Sequence, residues 1–471
     1  MDFIDRQEEL KRLRKLSTNR NGGFAVLYGR RRIGKSYLLT KWCSENDGLY
    51  TVGDTSSASL QRQTIAGMIA SRFPGFDEVI YPNWHALLHT LSLRAHTSDW
   101  HGPFIMDEFP YLVTSDDTLP SVLQSWIDSE IRQNGLLVII SGSSQHMMQG
   151  LTLHKSSPLY GRAQEILPLA PLAAGYIQEA LNLTTCIDAL KAYSIWGGVP
   201  RYWQSAEAYS DDIDNCLDDL VFSPLGLYHE EPNYLLQSEI PNAISLRPYL
   251  EAIGYGAHRI SEIASRLQQQ TTAMSRPMAR LVELGLVKKE IPFGESERNS
   301  KKSLYSIADP FCLFWFQVVA PRRSFFDQSP KNARLLAWGK YANAIYVYQW
   351  EQLARKTLHH ARLTNSLLKD DDCWLPAKRW WQENQPEWDI VSTNFAGDIA
   401  LLGEVKWSQH PFTQSEVNQL SQELLKRKYP PKLPAKAIHV LILPTIEDNV
   451  QTPDGIYLLT AEDILQASLE V

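Results

Sequence analysis

The apolar and polar positions divide the chain into stretches of different kinds. Residues 24–28 form an unbroken apolar run, the pattern of a strand buried on both faces, and residues 37–42 beyond it read as a helix. Two more apolar runs, 104–106 and 136–140, are closed by Asp107-Glu108 and by Ser141-Gly142-Ser143-Ser144. Strands with intervening helices predict an α/β fold around a parallel sheet. Past a linker at 228–232 the pattern changes to short helices, 248–253, 260–267 and 271–284. The apolar face of the last falls on Met278, Leu281, Val282 and Leu284, and Gly285 stands where a C-terminal cap belongs. Residues 286–291 and 303–307 read as paired strands around a polar loop. Three helices and a hairpin predict a winged helix-turn-helix. In the last third, 388–391 and 399–407 read as strands.

Composition narrows the class. At 471 residues, 44% hydrophobic and 21% charged, the chain has an ordinary globular make-up and is too long for one core. No apolar run approaches the roughly 20 residues that cross a bilayer, so no membrane association is expected. The opening Met1-Asp2-Phe3-Ile4-Asp5-Arg6 lacks the apolar core of a signal peptide. Cys43, Cys186, Cys216, Cys312 and Cys373 lie far apart, which argues against a disulfide framework or structural zinc and predicts a cytoplasmic protein. A net charge of −7 gives no global sign of nucleic-acid binding, although between residues 246 and 306 ten Lys and Arg oppose six acids. Asp370-Asp371-Asp372 and Lys426-Arg427-Lys428 read as water-facing, His359-His360 as lacking a metal partner, and the tryptophans as core.

The strongest chemical signal is Gly29-Arg30-Arg31-Arg32-Ile33-Gly34-Lys35-Ser36, a full match to the G-x-x-x-x-G-K-[ST] phosphate-binding loop. Its place between a strand and a helix sets backbone N–H groups and a helix N-terminus around a polyphosphate. Lys35 would reach the β- and γ-phosphates of ATP, and Ser36 would help hold Mg²⁺. Asp107 would bind the same ion, and Glu108 would orient the attacking water. Ser141 or Ser143, at the end of a parallel strand, would sense the γ-phosphate. Arg162, in Pro158-Leu159-Tyr160-Gly161-Arg162, would neutralise charge on the transferred phosphoryl group, in its own subunit or a neighbour's; a structural ion pair is the competing reading. Phe3, Asp5, Arg6 and a helix over 8–13 would pack near the adenine.

These segments resemble the archaeal-type ATPases, a group of signal-transduction P-loop ATPases related to the AAA+ proteins. The resemblance rests on Phe-Ile-Asp-Arg-Gln-Glu-Glu-Leu near the start, the phosphate loop, Met106-Asp107-Glu108-Phe109, Ser-Gly-Ser-Ser, residues 158–162 and Gly197-Gly198-Val199-Pro200. It implies an ATPase core over 1–180 and a small helical lid over 181–235, followed by the winged helix over 236–310. On that winged helix, Thr271, Thr272, Ser275, Arg276 and Arg280 would lie on the recognition helix, and Arg298, Lys301 and Lys302 on the wing.

Residues 311–471 carry a second signal. Strand alternation sets Glu404 and Lys406 on one face with Val405 opposite, and Asp389 joins them if its strand is a neighbour. The spacing is D-x14-E-x-K, the pattern of restriction-endonuclease-like nucleases, which a salt-bridged hairpin also produces. Asp389, Glu404 and the Val405 carbonyl are hard oxygen ligands for Mg²⁺, Glu351 on a helix offers a further carboxylate, and Lys406 would position the attacking water. Residues 305–316, Arg379-Trp380-Trp381, Glu387-Trp388-Asp389 and 403–407 resemble the nuclease-like domain of the same ATPase group. The expectation is an ATP-hydrolysing protein that acts on DNA through a C-terminal Mg²⁺-dependent site controlled by the ATPase. Its partners would be ATP, DNA, and a second copy or a partner protein. The rival is an ATP-dependent switch, scaffold or transcriptional regulator whose C-terminal domain is catalytically silent.

Overall fold

Five strands, β1 (Gly23–Tyr28), β2 (Leu49–Val52), β3 (Pro103–Asp107), β4 (Leu137–Gly142) and β5 (Glu165–Pro168), form a parallel sheet in the order β2-β3-β4-β1-β5. The structure is a computed structural model that describes residues 3–18, 22–209, 212–239, 243–296, 302–360, 373–382 and 385–469. Arg298, Lys301 and Asp370-Asp371-Asp372 lie outside the described residues. Every residue of β1, β3 and β4 is buried, as the continuous apolar runs require of central strands in a covered parallel sheet. Phe24, Val26, Met106 and Ile140 join Leu87, Leu91 and Trp126 in one core. Register then does the functional work. Tyr28 pairs with Gly142 and Met106 with Ile140, so β1, β3 and β4 end together at one edge. The helix Lys35–Glu45 starts there.

Contacts divide the chain into two units, one of Asp5–Pro171 with Leu235–Ala243, the other of Met1–Ile4, Leu172–Tyr234 and Ile244–Val471. In the second unit, helices Cys186–Trp196 and Pro200–Ala206 pack on the Pro310–Phe314 helix. Trp196 stacks on Phe311 with ring centres 5.8 Å apart. Arg334 grips the buried carboxylate of Asp218 through Nε at 2.6 Å and Nη2 at 2.7 Å.

The expected short helices follow as Arg247–Gly254 and Ile260–Arg266. The third differs from the sequence pattern: a 3-10 turn, Thr271–Met274, precedes an α-helix, Ser275–Glu283. Starting at Ser275 keeps Pro277 in the first turn, where its missing N–H costs nothing. Met278 and Leu281 are buried, but Val282 is 37% exposed and lies outside the apolar face expected of it. Gly285 ends the helix at φ +67°. An antiparallel pair follows, β6 (Val287–Glu290) and β7 (Leu304–Ile307).

A 27-residue helix, Lys331–Thr357, leads to the second sheet. Its strands are β8 (Lys378–Trp380), β9 (Trp388–Thr393), β10 (Ile399–Val405), β11 (Lys436–Ile442) and β12 (Ile456–Leu459), in the order β12-β11-β10-β9-β8. β10, β11 and β12 run parallel, while β9 is antiparallel to β10 and β8 to β9. Trp388, Val391, Leu402 and Leu441 centre its core, with Val417 and Leu424 of the helix Gln414–Lys426 packed over them.

Candidate functional sites at the ends of two sheets

The phosphate-loop backbone follows from its glycines. A Cβ on Gly29 would lie 2.9 Å from the Leu169 carbonyl oxygen, and Gly34 takes φ +93° as the residue before the helix. The buried Lys35 ammonium donates to the carbonyls of Gly29 at 2.9 Å and Arg30 at 3.2 Å. Ser36 Oγ donates to Asp107 Oδ2 at 2.7 Å, which brings the two expected Mg²⁺ residues together across 71 positions of chain. Asp107 Oδ1 accepts the Glu108 amide at 2.9 Å. Glu108 holds a left-handed backbone, φ 51° and ψ 40°, a strain of order 1 kcal/mol for a side-chain-bearing residue. Its carboxylate accepts from Ser143 Oγ at 2.5 Å and from the Ser143 amide at 3.3 Å. Ser141 Oγ is buried without a hydrogen-bond partner.

These residues fit a magnesium-bound polyphosphate. Gly29 leaves no room for a side chain, the helix begins without a side-chain cap, and Ser141 keeps a buried hydroxyl unsatisfied at the same edge. Bound there, the nucleotide would meet the amides of the loop, Lys35 on its outer phosphates, and Ser36 with Asp107 around the metal. Arg162 is engaged elsewhere: Nε and Nη2 hold Asp128, the latter at 2.8 Å, and Nη1 donates to the Pro158 carbonyl at 2.8 Å. Arg31 donates to the Tyr111 hydroxyl at 3.2 Å.

Tyr50 escaped the sequence, and Arg6, expected near the adenine, is placed against the phosphate loop itself. The Tyr50 hydroxyl donates to Asp107 Oδ2 at 2.5 Å, and burial followed by the Asp107 charge pushes its pKa well above the usual tyrosine range. The buried Arg6 guanidinium donates to the Ile33 carbonyl at 3.1 Å and the Ala170 carbonyl at 2.8 Å, and pairs with Glu9 at 3.0 Å. Arg6 thereby braces the phosphate loop from behind. An Arg just before a predicted helix is a signal in retrospect; nothing in the local pattern of β2 marked Tyr50.

In the second sheet, Gly403 pairs with Ile390, which sets Asp389 beside Glu404 at the neighbouring step. Asp389 Oδ2 accepts the Val405 amide at 3.0 Å. Lys406 Nζ meets Glu404 Oε1 at 2.5 Å, and Arg427 closes on Glu404 Oε2. Arg427 was expected to face water; instead Glu404, the Trp388 ring at 5.1 Å and the Glu387 carbonyl at 2.7 Å hold it. Glu351 enters from the long helix. Burial, then the charge of Asp389, raises its pKa to about 7. Burial and Glu404 likewise raise that of Asp389. Burial works against the Lys406 charge, but the hydrogen bond and charge of Glu404 outweigh it and raise its pKa. Among the described residues no group of three or more His, Cys, Asp and Glu could hold a metal ion, so the donors present do not make a complete cage.

A parallel sheet with a glycine-built phosphate loop, an Asp-Glu pair and a serine at one edge has the α/β fold of the P-loop ATPases. Residues 3–205 match the family model of an ATPase domain predominantly from Archaea. Residues 315–426 match a model of archaeal and bacterial proteins of unknown function. An uncharacterized protein of Methanocaldococcus jannaschii is 26% identical over 427 residues, 90% of this chain and 91% of that protein. The Walker-type ATPase of Pyrococcus abyssi shares the fold with a TM-score of 0.51 and 18% identity, over 67% of this chain and 97% of that one. Among the described residues no helix is long and apolar enough to cross a membrane.

Proposed function

We propose that the chain hydrolyses ATP and acts on DNA, with a nuclease-like C-terminal site under control of the ATPase, in four segments: 1–180, 181–235, 236–310 and 311–471. The observation that carries the ATP reading is the convergence of Lys35, Ser36, Asp107, Glu108 and Ser143 at one sheet edge. Lys35 would exchange its loop carbonyls for the β- and γ-phosphates, and Glu108, freed from Ser143, would orient the attacking water. Ser141 would bond the γ-phosphate. Arg162 would act only after leaving Asp128.

For DNA, helices 247–254 and 260–266, the helix after Thr271 and the β6–β7 pair are read as a winged helix-turn-helix. Thr271, Thr272, Ser275 and Arg276 are exposed on it, as residues that meet a groove must be, while Arg280 pairs with Glu283 at 2.8 Å. Lys302 on the loop pairs with Glu295 at 2.8 Å. At the C-terminal site, Asp389, Glu404 and Glu351 do not form a metal-holding group as they stand; they would take Mg²⁺ with the Val405 carbonyl, and Lys406 would position the water, only after Glu404 leaves Lys406 and Arg427.

One observation favours the rival. Lys406 and Arg427 neutralise Glu404 from both sides, as suits an ATP-dependent switch, scaffold or regulator with a silent C-terminal domain. Nuclease assays on the full chain with Mg²⁺, with and without ATP, separate the two. Cleavage lost in Asp389→Ala and Lys406→Ala supports the nuclease; no cleavage in the wild type, with ATP turnover intact, leaves the switch. For the engine, Lys35→Ala should lower turnover on the order of 100-fold, and unchanged turnover would remove the ATPase assignment.

A further inference from the structure

Tyr50 lies on β2, where the strand register sets it opposite Ile105 and sets Val52 opposite Asp107. Side chains alternate along a strand, so Tyr50 shares one face of the sheet with Ile105 and Asp107. The Asp107 carboxylate therefore stands two steps further along the neighbouring strand, about 7 Å away at the usual rise per residue. A tyrosine carries a hydroxyl that far; a serine or threonine at the same place does not. The half-buried Tyr50 uses this reach to donate to Oδ2 of the buried Asp107 at 2.5 Å. Ser36 Oγ donates to the same oxygen at 2.7 Å, and the Glu108 amide donates to Oδ1 at 2.9 Å. A carboxylate offers about four acceptor positions, two on each oxygen. Among the described residues these three donors fill both positions of Oδ2 and one of Oδ1.

Two of the three donors need no further account. Ser36 can give its proton to Asp107 and turn a lone pair to magnesium, and the Glu108 amide belongs to the next residue of the chain. Tyr50 comes from a different strand and has no such reason to be there. We infer that Tyr50 is a positioning residue for magnesium at the phosphate loop: it fills Oδ2 and leaves Asp107 to meet the ion through Oδ1 alone. The inference rests on the ATP reading and adds a residue to it. Ion chemistry gives the restraint a consequence. Mg²⁺ holds strict octahedral geometry and keeps several waters, so a single carboxylate contact suits it. Ca²⁺ is larger, takes more oxygens and accepts both oxygens of one carboxylate. With Oδ2 occupied by Tyr50 and Ser36, Asp107 cannot offer both. Tyr50 thereby favours Mg²⁺ over Ca²⁺ as the companion of the nucleotide.

Isothermal titration calorimetry on the full chain measures ATP affinity in EDTA, with Mg²⁺ and with Ca²⁺. Tyr50→Phe keeps the ring and removes only the hydroxyl. It should leave binding in EDTA within about twofold of wild type, cut the gain in affinity from Mg²⁺ by about tenfold, and narrow the preference for Mg²⁺ over Ca²⁺. In an Asp107→Asn background the same substitution should cost no further Mg²⁺ gain, because Tyr50 acts through that carboxylate. A tyrosine that only held the fold together would weaken binding in EDTA as much as with either metal. An equal loss in all three conditions, or an unchanged Mg²⁺ gain and metal preference in Tyr50→Phe, overturns the inference and leaves the ATP reading in place. No ATP heat in the wild type under any of the three conditions removes that reading, and the inference with it.

Discussion

Glu108 is restrained twice, by a left-handed backbone and by two hydrogen bonds from Ser143. A water-orienting carboxylate must let go of such partners to act, so the amide should separate binding from turnover. Glu108→Gln is expected to lower ATP hydrolysis by roughly 10²- to 10⁴-fold while nucleotide affinity stays near wild type, read by turnover and calorimetry together. Glu351 gives a prediction about pH. Its carboxyl titrates near 7 when folded against an ordinary value of 4.5, so the folded state holds the proton more tightly. The stability this confers is full below pH 4.5 and lost as pH rises through 7, a difference on the order of 3 kcal/mol. With chelator present, Glu351→Gln should therefore melt higher than wild type at pH 8 and nearly level with it at pH 4.5. Lys35, Ser36 and Asp107 were legible because loop spacing and strand endings are local patterns. Tyr50 and the partners of Arg6 and Arg427 were not, because each pair forms only after distant segments are brought together.

Whole elements were easier to read than single contacts. The strands leading into the phosphate loop and Asp107 emerge where continuous apolar runs place them, since central parallel strands have no polar face to blur the pattern. The helix expected over 271–284 divided because Pro277 dictates where an α-helix can start. Sequence periodicity also could not show which helices join which core. Half-buried Arg334 of the long helix pairs with the buried Asp218, more than a hundred positions away. Removing one member strands the other's charge. Asp218→Ala should cost about 3–5 kcal/mol, measured by denaturant unfolding, whereas replacing both partners with apolar residues should cost much less.

At the scale of the molecule, the phosphate loop belongs to the unit of Asp5–Pro171 with Leu235–Ala243, and the strands of the second sheet belong to the other. A ligand bound to one folded unit raises that unit's stability by mass action. Magnesium-ATP at about 100 times its dissociation constant should add about 2.7 kcal/mol. A calorimetric scan is expected to show a transition that moves upward with magnesium-ATP, and Lys35→Ala should abolish the movement. The brace behind the loop extends this reasoning to the beginning of the chain. Arg6 ties the Ile33 and Ala170 carbonyls from a position just ahead of the first helix. Trimming the chain to residue 7, or crowding its start with a bulky fusion, would thus slacken the phosphate cradle while leaving all eight of its own residues untouched.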